Sequence, residues 1–146
     1  MEKVCFALNI DDDWPPVATE SVWCSRSGDA YELLNAPFFI DGLAFGDKFT
    51  AKPDEVNGCI FEFEVVKESG HSLAWVINNE ELDFTGWKQL LLEQGCSVEG
   101  LAAFRLHSID VPAAVDAANI NALVNRIEAA GFAMAFPVWR HEAEAP

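Results

Sequence analysis

Hydrophobic and polar positions change their rhythm about halfway along the chain. In the first half they alternate with a period of two. Residues 4–10 form a short apolar run that stops at Asp11-Asp12-Asp13-Trp14-Pro15-Pro16, where the prolines end any regular element. Residues 20–25 alternate, Ser27-Gly28-Asp29 supplies a turn, and residues 31–34 resume the pattern, which predicts a β-hairpin. Residues 47–51 and 59–67 predict two further strands, with Asn57-Gly58 favouring a positive-φ turn between them. In the second of these, Phe61, Phe63 and Val65 alternate with Glu62, Glu64 and Val66, so one face is expected in the core and the other in water.

The second half mixes periods. Residues 73–77 predict a strand. Phe84, Trp87, Leu90 and Leu91 then fall on one helical face, with Asp83 or Thr85 as cap and Gly95 as stop. A strand centred on residues 104–107 ends before Pro112. Ile120, Leu123, Val124 and Ile127 mark a second helix, begun by Asn119 or Asn121 and closed by Gly131. Phe132, Met134, Phe136 and Val138 alternate as a last strand. The expected class is α+β: a curled antiparallel sheet or small barrel over residues 1–72, then a βαβαβ run over 73–146 forming a split βαβ, ferredoxin-like layer with two helices. No Pro/Gly/Ser-rich linker separates the halves, so residues 1–146 read as one α+β domain.

Charge changes the picture more than composition does. The formal net charge is −15, and the acids are spread along the whole chain rather than gathered in a tail. Such a surface repels phosphate backbones, which argues against nucleic acid, and suits steered docking on a basic protein. Simple solubility is the plainer use of the same charge. No apolar run reaches the roughly 20 residues of a membrane span. Residues 1–6 lack the apolar stretch and cleavage site of a signal peptide, so a cytoplasmic location is expected. Cys5, Cys24, Cys59 and Cys96 show no CxxC pair, and free buried thiols follow as the expectation. His71, His107 and His141 are scattered, so no metal and no cofactor is expected.

One stretch has the look of chemistry. Ser69, Gly70, His71 and Ser72 form a polar turn before an apolar run, and Gly70-His71-Ser72-Leu73-Ala74 half matches a nucleophile elbow. Ala74 stands where the elbow has glycine, and neighbouring side chains on an extended backbone point to opposite faces. A turn with Gly70 at positive φ is the simpler account, with a binding loop as the functional one. Asp11, Asp12 and Asp13 lack the glycine and distant glutamate of a calcium loop. Of the five tryptophans, three or four are expected in the core and Trp14, in its acidic loop, on the surface as an interface anchor. Arg105 and Arg140 are expected to pair with local carboxylates.

Taken in order, Asp-Trp-Pro-Pro (13–16), Glu-Ser-Val-Trp (20–23), Tyr-Glu-Leu-Leu-Asn-Ala-Pro-Phe-Phe (31–39), Gly-Asp (46–47), Ser-Gly-His-Ser (69–72) and Ile-Asp-Val-Pro (109–112) resemble a bacterial domain-of-unknown-function family, numbered 4265. The resemblance implies a small bacterial protein and no particular activity. By size and acidity the chain is also similar in type to immunity proteins. The expected function is an acidic immunity protein that covers the active site of a basic toxin. Asp11, Asp12, Asp13, Trp14, Glu62, Glu64, Ser69, His71 and Ser72 are the candidate partner-binding residues, with no catalytic residue among them. The alternative is a metabolite-binding or enzymatic domain with a pocket near Asn35, Asp47, Ser69, His71 and Ser72.

Overall fold

The computed structural model describes residues 1–142. Each rhythm in the sequence becomes its own layer, and the chain divides into two compact units, Met1–Ser69 and Gly70–Pro146.

In the first unit, β1 (Glu2–Ala7), β2 (Thr19–Ser27), β3 (Ala30–Leu33), β4 (Lys48–Ala51) and β5 (Phe63–Lys67) pair in sequence order as an antiparallel meander. The inward positions Val4, Phe6, Val22, Cys24, Tyr31, Leu33 and Phe49 form one apolar cluster with Ile40, Leu43 and Ile60. Aromatic contacts stiffen it: Phe49 stacks on Tyr31 with ring centres 5.2 Å apart and meets Phe6 at 5.7 Å. Phe6 makes a single parallel bridge to Ile60, so the two ends of the sheet meet without pairing into a closed barrel. Beside that bridge Cys5 and Cys59 are joined by a disulfide, which corrects the expectation of free thiols for this pair. Cross-links over long loops typically add about 2–4 kcal/mol. Cys24 and Cys96 are free and buried, and burial pushes their thiols up to about 11 and about 12, with Glu2 and Asp110 adding to the respective shifts.

Phe61 departs from its expected core position. The chain around Ile60 is spent on the bridge to β1, and β5 begins only at Phe63, so Phe61 is 60% exposed.

The second unit contains β6 (Ser72–Ile77), α1 (Thr85–Glu93), β7 (Ser97–Leu101), β8 (Leu106–Val111), α2 (Ala117–Ala129) and β9 (Ala133–Val138). Its sheet runs β7-β8-β6-β9, antiparallel throughout, which is the ferredoxin-like split arrangement. One strand more than expected is present. The region read as a single strand around residue 104 is a hairpin whose corner is a 3₁₀ turn, Ala102–Phe104, followed by Arg105 at φ 53°. Both helices lay Leu91, Ile120, Leu123, Val124 and Ile127 against Ala74, Val76, Ile109 and Val111 of the sheet.

The helix stops fall where glycine predicts them. Gly95 and Gly131 take φ +100° and +105°, and the following amides, Cys96 N–H and Phe132 N–H, reach back to Leu91 O and Ile127 O. The second helix starts earlier than expected: Asp116 is the cap, and its carboxylate accepts from Asn119 N–H at 2.9 Å. For the first helix the side chain of Asp83 accepts from Thr85 N–H at 3.0 Å, although the cap position itself is Phe84.

Gly46 is a glycine with little latitude. It has φ +82°, and a Cβ there would lie 3.0 Å from Ser69 Cβ, whereas Gly28 at φ +61° has open space around it. Gly46→Ala is therefore expected to cost about 2 kcal/mol or more and Gly28→Ala only about 1 kcal/mol, read from urea midpoints. Equal costs would show that the close approach to Ser69 carries no energy.

Candidate functional site

The Ser69–Ser72 stretch is divided between the two units. Ser69 closes the first: its N–H donates to Asp47 Oδ1 at 2.9 Å and its hydroxyl to Phe45 O at 2.6 Å. Asp47 is 0% exposed, and its other carboxylate oxygen accepts from Ala44 N–H at 2.9 Å. This carboxylate folds the 44–47 turn and anchors Ser69. Asn35 Oδ1 accepts from Trp23 N–H at 2.6 Å, and its amide donates to the neighbouring Ala36 O. Asn35 and Asp47 thus use polar side-chain atoms to hold the backbone.

Gly70 takes φ +86°, as a turn requires, and a Cβ on it would lie 3.0 Å from Ala113 Cβ. His71 and Ser72 then point to opposite sides of the sheet. His71 lies on the side of Asp110, and its Nδ1 is 2.8 Å from Asp110 Oδ1. Burial pushes the Asp110 carboxyl above its ordinary range, and the hydrogen bond and charge of His71 pull it back.

Ser72 does meet a histidine, though not the one beside it. Its Oγ lies 2.6 Å from His141 Nδ1, and it accepts the backbone N–H of Arg140 at 2.7 Å and of His141 at 3.2 Å. With two donors on its lone pairs, the hydroxyl gives its proton to Nδ1, and His141 Nε2–H donates to Pro112 O at 2.9 Å. The tautomer follows from these partners. Asn121 of α2 adds a bond to His141 O at 2.5 Å, and Arg140 Nη1 donates to His71 O at 3.1 Å.

This is a clamp on the segment after β9. A nucleophilic serine needs a free lone pair and backbone donors aimed at a substrate oxygen. Here the backbone donors converge on the serine oxygen itself, and the residue is 1% exposed. Sequence reasoning named Ser72 and missed His141, which lies 69 residues away with no local pattern to connect them.

The acidic candidates lie outside. Asp12 and Asp13 take φ 50° and 63° at the tip of a tight turn closed by paired bonds between Asp11 and Trp14. Two adjacent left-handed residues make the hairpin turn that Asp tolerates best after Asn and Gly. Trp14 is 38% exposed, with its ring edge-on to Phe39 at 5.7 Å. Trp23 joins it outside at 42% exposure, with the Lys3 ammonium 5.4 Å from its ring centre. Trp75 is buried, and Trp87 and Trp139 pack on the second core from its margin. Glu62 and Glu64 are exposed beside a groove of about 910 Å³. Arg105 pairs with Glu81 at 2.6 Å on the surface, a contact of small energetic weight. Among the described residues no group of three or more His, Cys, Asp or Glu is placed to hold a metal ion. No helix is long and apolar enough to cross a membrane.

The protein is thus of the α+β class, two antiparallel sheets with two helices on the second. The chain belongs to the family described as Domain of unknown function (DUF4265), whose model matches residues 20–135. Its fold is similar to that of a solved structure, a hypothetical protein from Neisseria gonorrhoeae. The two share 15% identity and a TM-score of 0.75, over 94% of this chain and 96% of that one. No curated protein matches the sequence.

Ser72→Ala is expected to destabilise the fold by about 1–3 kcal/mol by removing the acceptor of the Arg140 and His141 amides. A fluorophosphonate probe is expected to leave the wild-type protein unlabelled. Covalent labelling at Ser72, read by mass spectrometry, would contradict the assignment.

Proposed function

We propose that this chain is an acidic binding protein that docks on a basic protein, and that it acts as an immunity protein by covering the active site of a toxin. The observation that carries this reading is the state of the surface acids. Asp11, Asp12, Asp13, Glu62 and Glu64 are all exposed, and none takes part in an ion pair among the described residues. Their field is left for something outside the molecule. With a net charge of −15 that field reaches about one Debye length, roughly 8 Å at physiological salt, and speeds encounter with a positive surface.

A nuclease is the fitting class of toxin, because an active site that grips phosphate is basic and is blocked by a carboxylate surface. Affinity in such complexes comes from a few desolvated anchors rather than from net charge. Trp14, half out of water among carboxylates, has the chemistry of such an anchor. The proposal includes a cytoplasmic setting. Against that, the Cys5–Cys59 bond is of the kind that oxidising compartments preserve.

The reading is checked by capturing the partner from source lysate and measuring association at low and high salt. The on-rate is expected to fall by about tenfold or more as salt rises, and co-expression is expected to relieve the partner's toxicity. A flat salt profile, or a captured partner that is itself acidic, would contradict it.

A further inference from the structure

β5 is the last strand of its sheet, so one of its edges has no strand partner there. The pairing it does make is interrupted between Lys48 and Phe49, where Val66 bulges, and the regular stretch is therefore Phe63–Val65, reached through Glu62 after a bend at Phe61. At that end the groove opens. Arg26, Asp29, Lys52, Phe61, Glu62 and Glu64 are among its lining residues, all within the first unit.

Two features make this groove unlike a solvated strand face. Phe61 lies 60% exposed among charged side chains, an aromatic surface with nothing of its own cluster upon it. And Asp29, Lys52, Glu62 and Glu64 enter no ion pair among the described residues, while the Arg26 guanidinium is held over the Tyr31 ring at 5.0 Å. Acids outnumber bases along the lining, so the groove favours a cationic occupant.

Glu62 and Glu64 are two residues apart on an extended backbone, which sets their Cα atoms about 6.5–7 Å apart on one face. Cations at alternate positions of a second extended chain have the same spacing. A second copy of this protein does not: each copy carries −15, and edge-to-edge pairing would set carboxylates against carboxylates.

We propose that the β5 edge and its groove receive an extended basic segment of the partner, which adds as a strand, sets alternate Lys or Arg side chains on Glu62 and Glu64, and seats an apolar side chain on Phe61. Strand addition supplies main-chain hydrogen bonds for affinity, and the alternate side chains supply specificity. The inference rests on the basic-partner reading above and locates its surface.

The test uses the full ¹⁵N-labelled chain and a synthetic peptide alternating lysine and threonine around a central leucine. At low salt, amide shifts are expected over residues 61–65 and at Arg26 and Lys52. E62Q/E64Q and Phe61→Ala should each weaken binding about tenfold, while D11N/D12N/D13N stays within about twofold. A peptide N-methylated at alternate residues should bind about tenfold less well, because strand pairing is blocked. All these positions are on the surface, and unchanged circular dichroism confirms that the variants fold. Shifts centred on residues 11–14, or equal losses from the two sets of acid substitutions, would overturn the groove and leave the basic-partner reading standing. No binding to any face at low salt would overturn both.

Discussion

A carboxylate removed from water has to be met by donors, and the way this chain meets that demand determines what is left for function. Asp47 is fully buried and spends its oxygens on Ala44 N–H and Ser69 N–H. Glu20 spends its own on Phe38 N–H at 2.8 Å and Phe39 N–H at 2.9 Å. Burial raises the Glu20 carboxyl above its ordinary range, and those amides pull it back. Ser72 and His141 settle a further set of backbone groups between them. Polar residues that resemble a reactive centre in one dimension are, in three, the fasteners of turns and of the segment after β9. An unpaired group in those places would cost about 1–3 kcal/mol, which is ample reason for their presence.

The outer acids obey a different economy. Asp11, Asp12, Asp13, Glu62 and Glu64 are exposed and enter no ion pair among the described residues, and a net charge of −15 works against compactness. The fold withstands it through two apolar clusters and one cross-link, Cys5–Cys59, placed where the ends of the first sheet meet. Asp47, Glu20, Ser72 and His141 are met by partners inside the fold, whereas these outer acids enter no ion pair among the described residues.

Much of the architecture was legible because local rules governed it. Gly95 and Gly131 stop helices in the sequence and in the structure for the same reason, a left-handed residue that only glycine adopts cheaply. The alternation of Val22 and Cys24 against exposed neighbours was enough to define β2. Failures came where a distant contact outweighed a local pattern. Phe61 continues a perfect alternation, yet the bridge between Ile60 and Phe6 uses up that part of the chain and turns the ring outward. The corner after β7 has no glycine or proline; Arg105 takes the left-handed conformation instead, so the hairpin read as one strand. Asp116 caps the second helix although the apolar spacing points to Asn119 or Asn121. The candidate site divides along the same line. Asp12, Asp13 and Trp14 stand where a proline-bounded acidic turn puts them, whereas the partners of Ser72 and Cys5 lie 69 and 54 residues away and leave no trace in spacing.

The most direct measurement compares two variants of equal structural integrity for capture of the partner by titration calorimetry. One carries amides in place of Asp11, Asp12, Asp13, Glu62 and Glu64. The other carries Ser72→Ala, studied at a temperature where it is folded. The account predicts that the first keeps or gains stability and loses the partner, while the second loses stability and keeps the partner. Undiminished binding by the amide variant, together with loss of binding in folded Ser72→Ala, would contradict it.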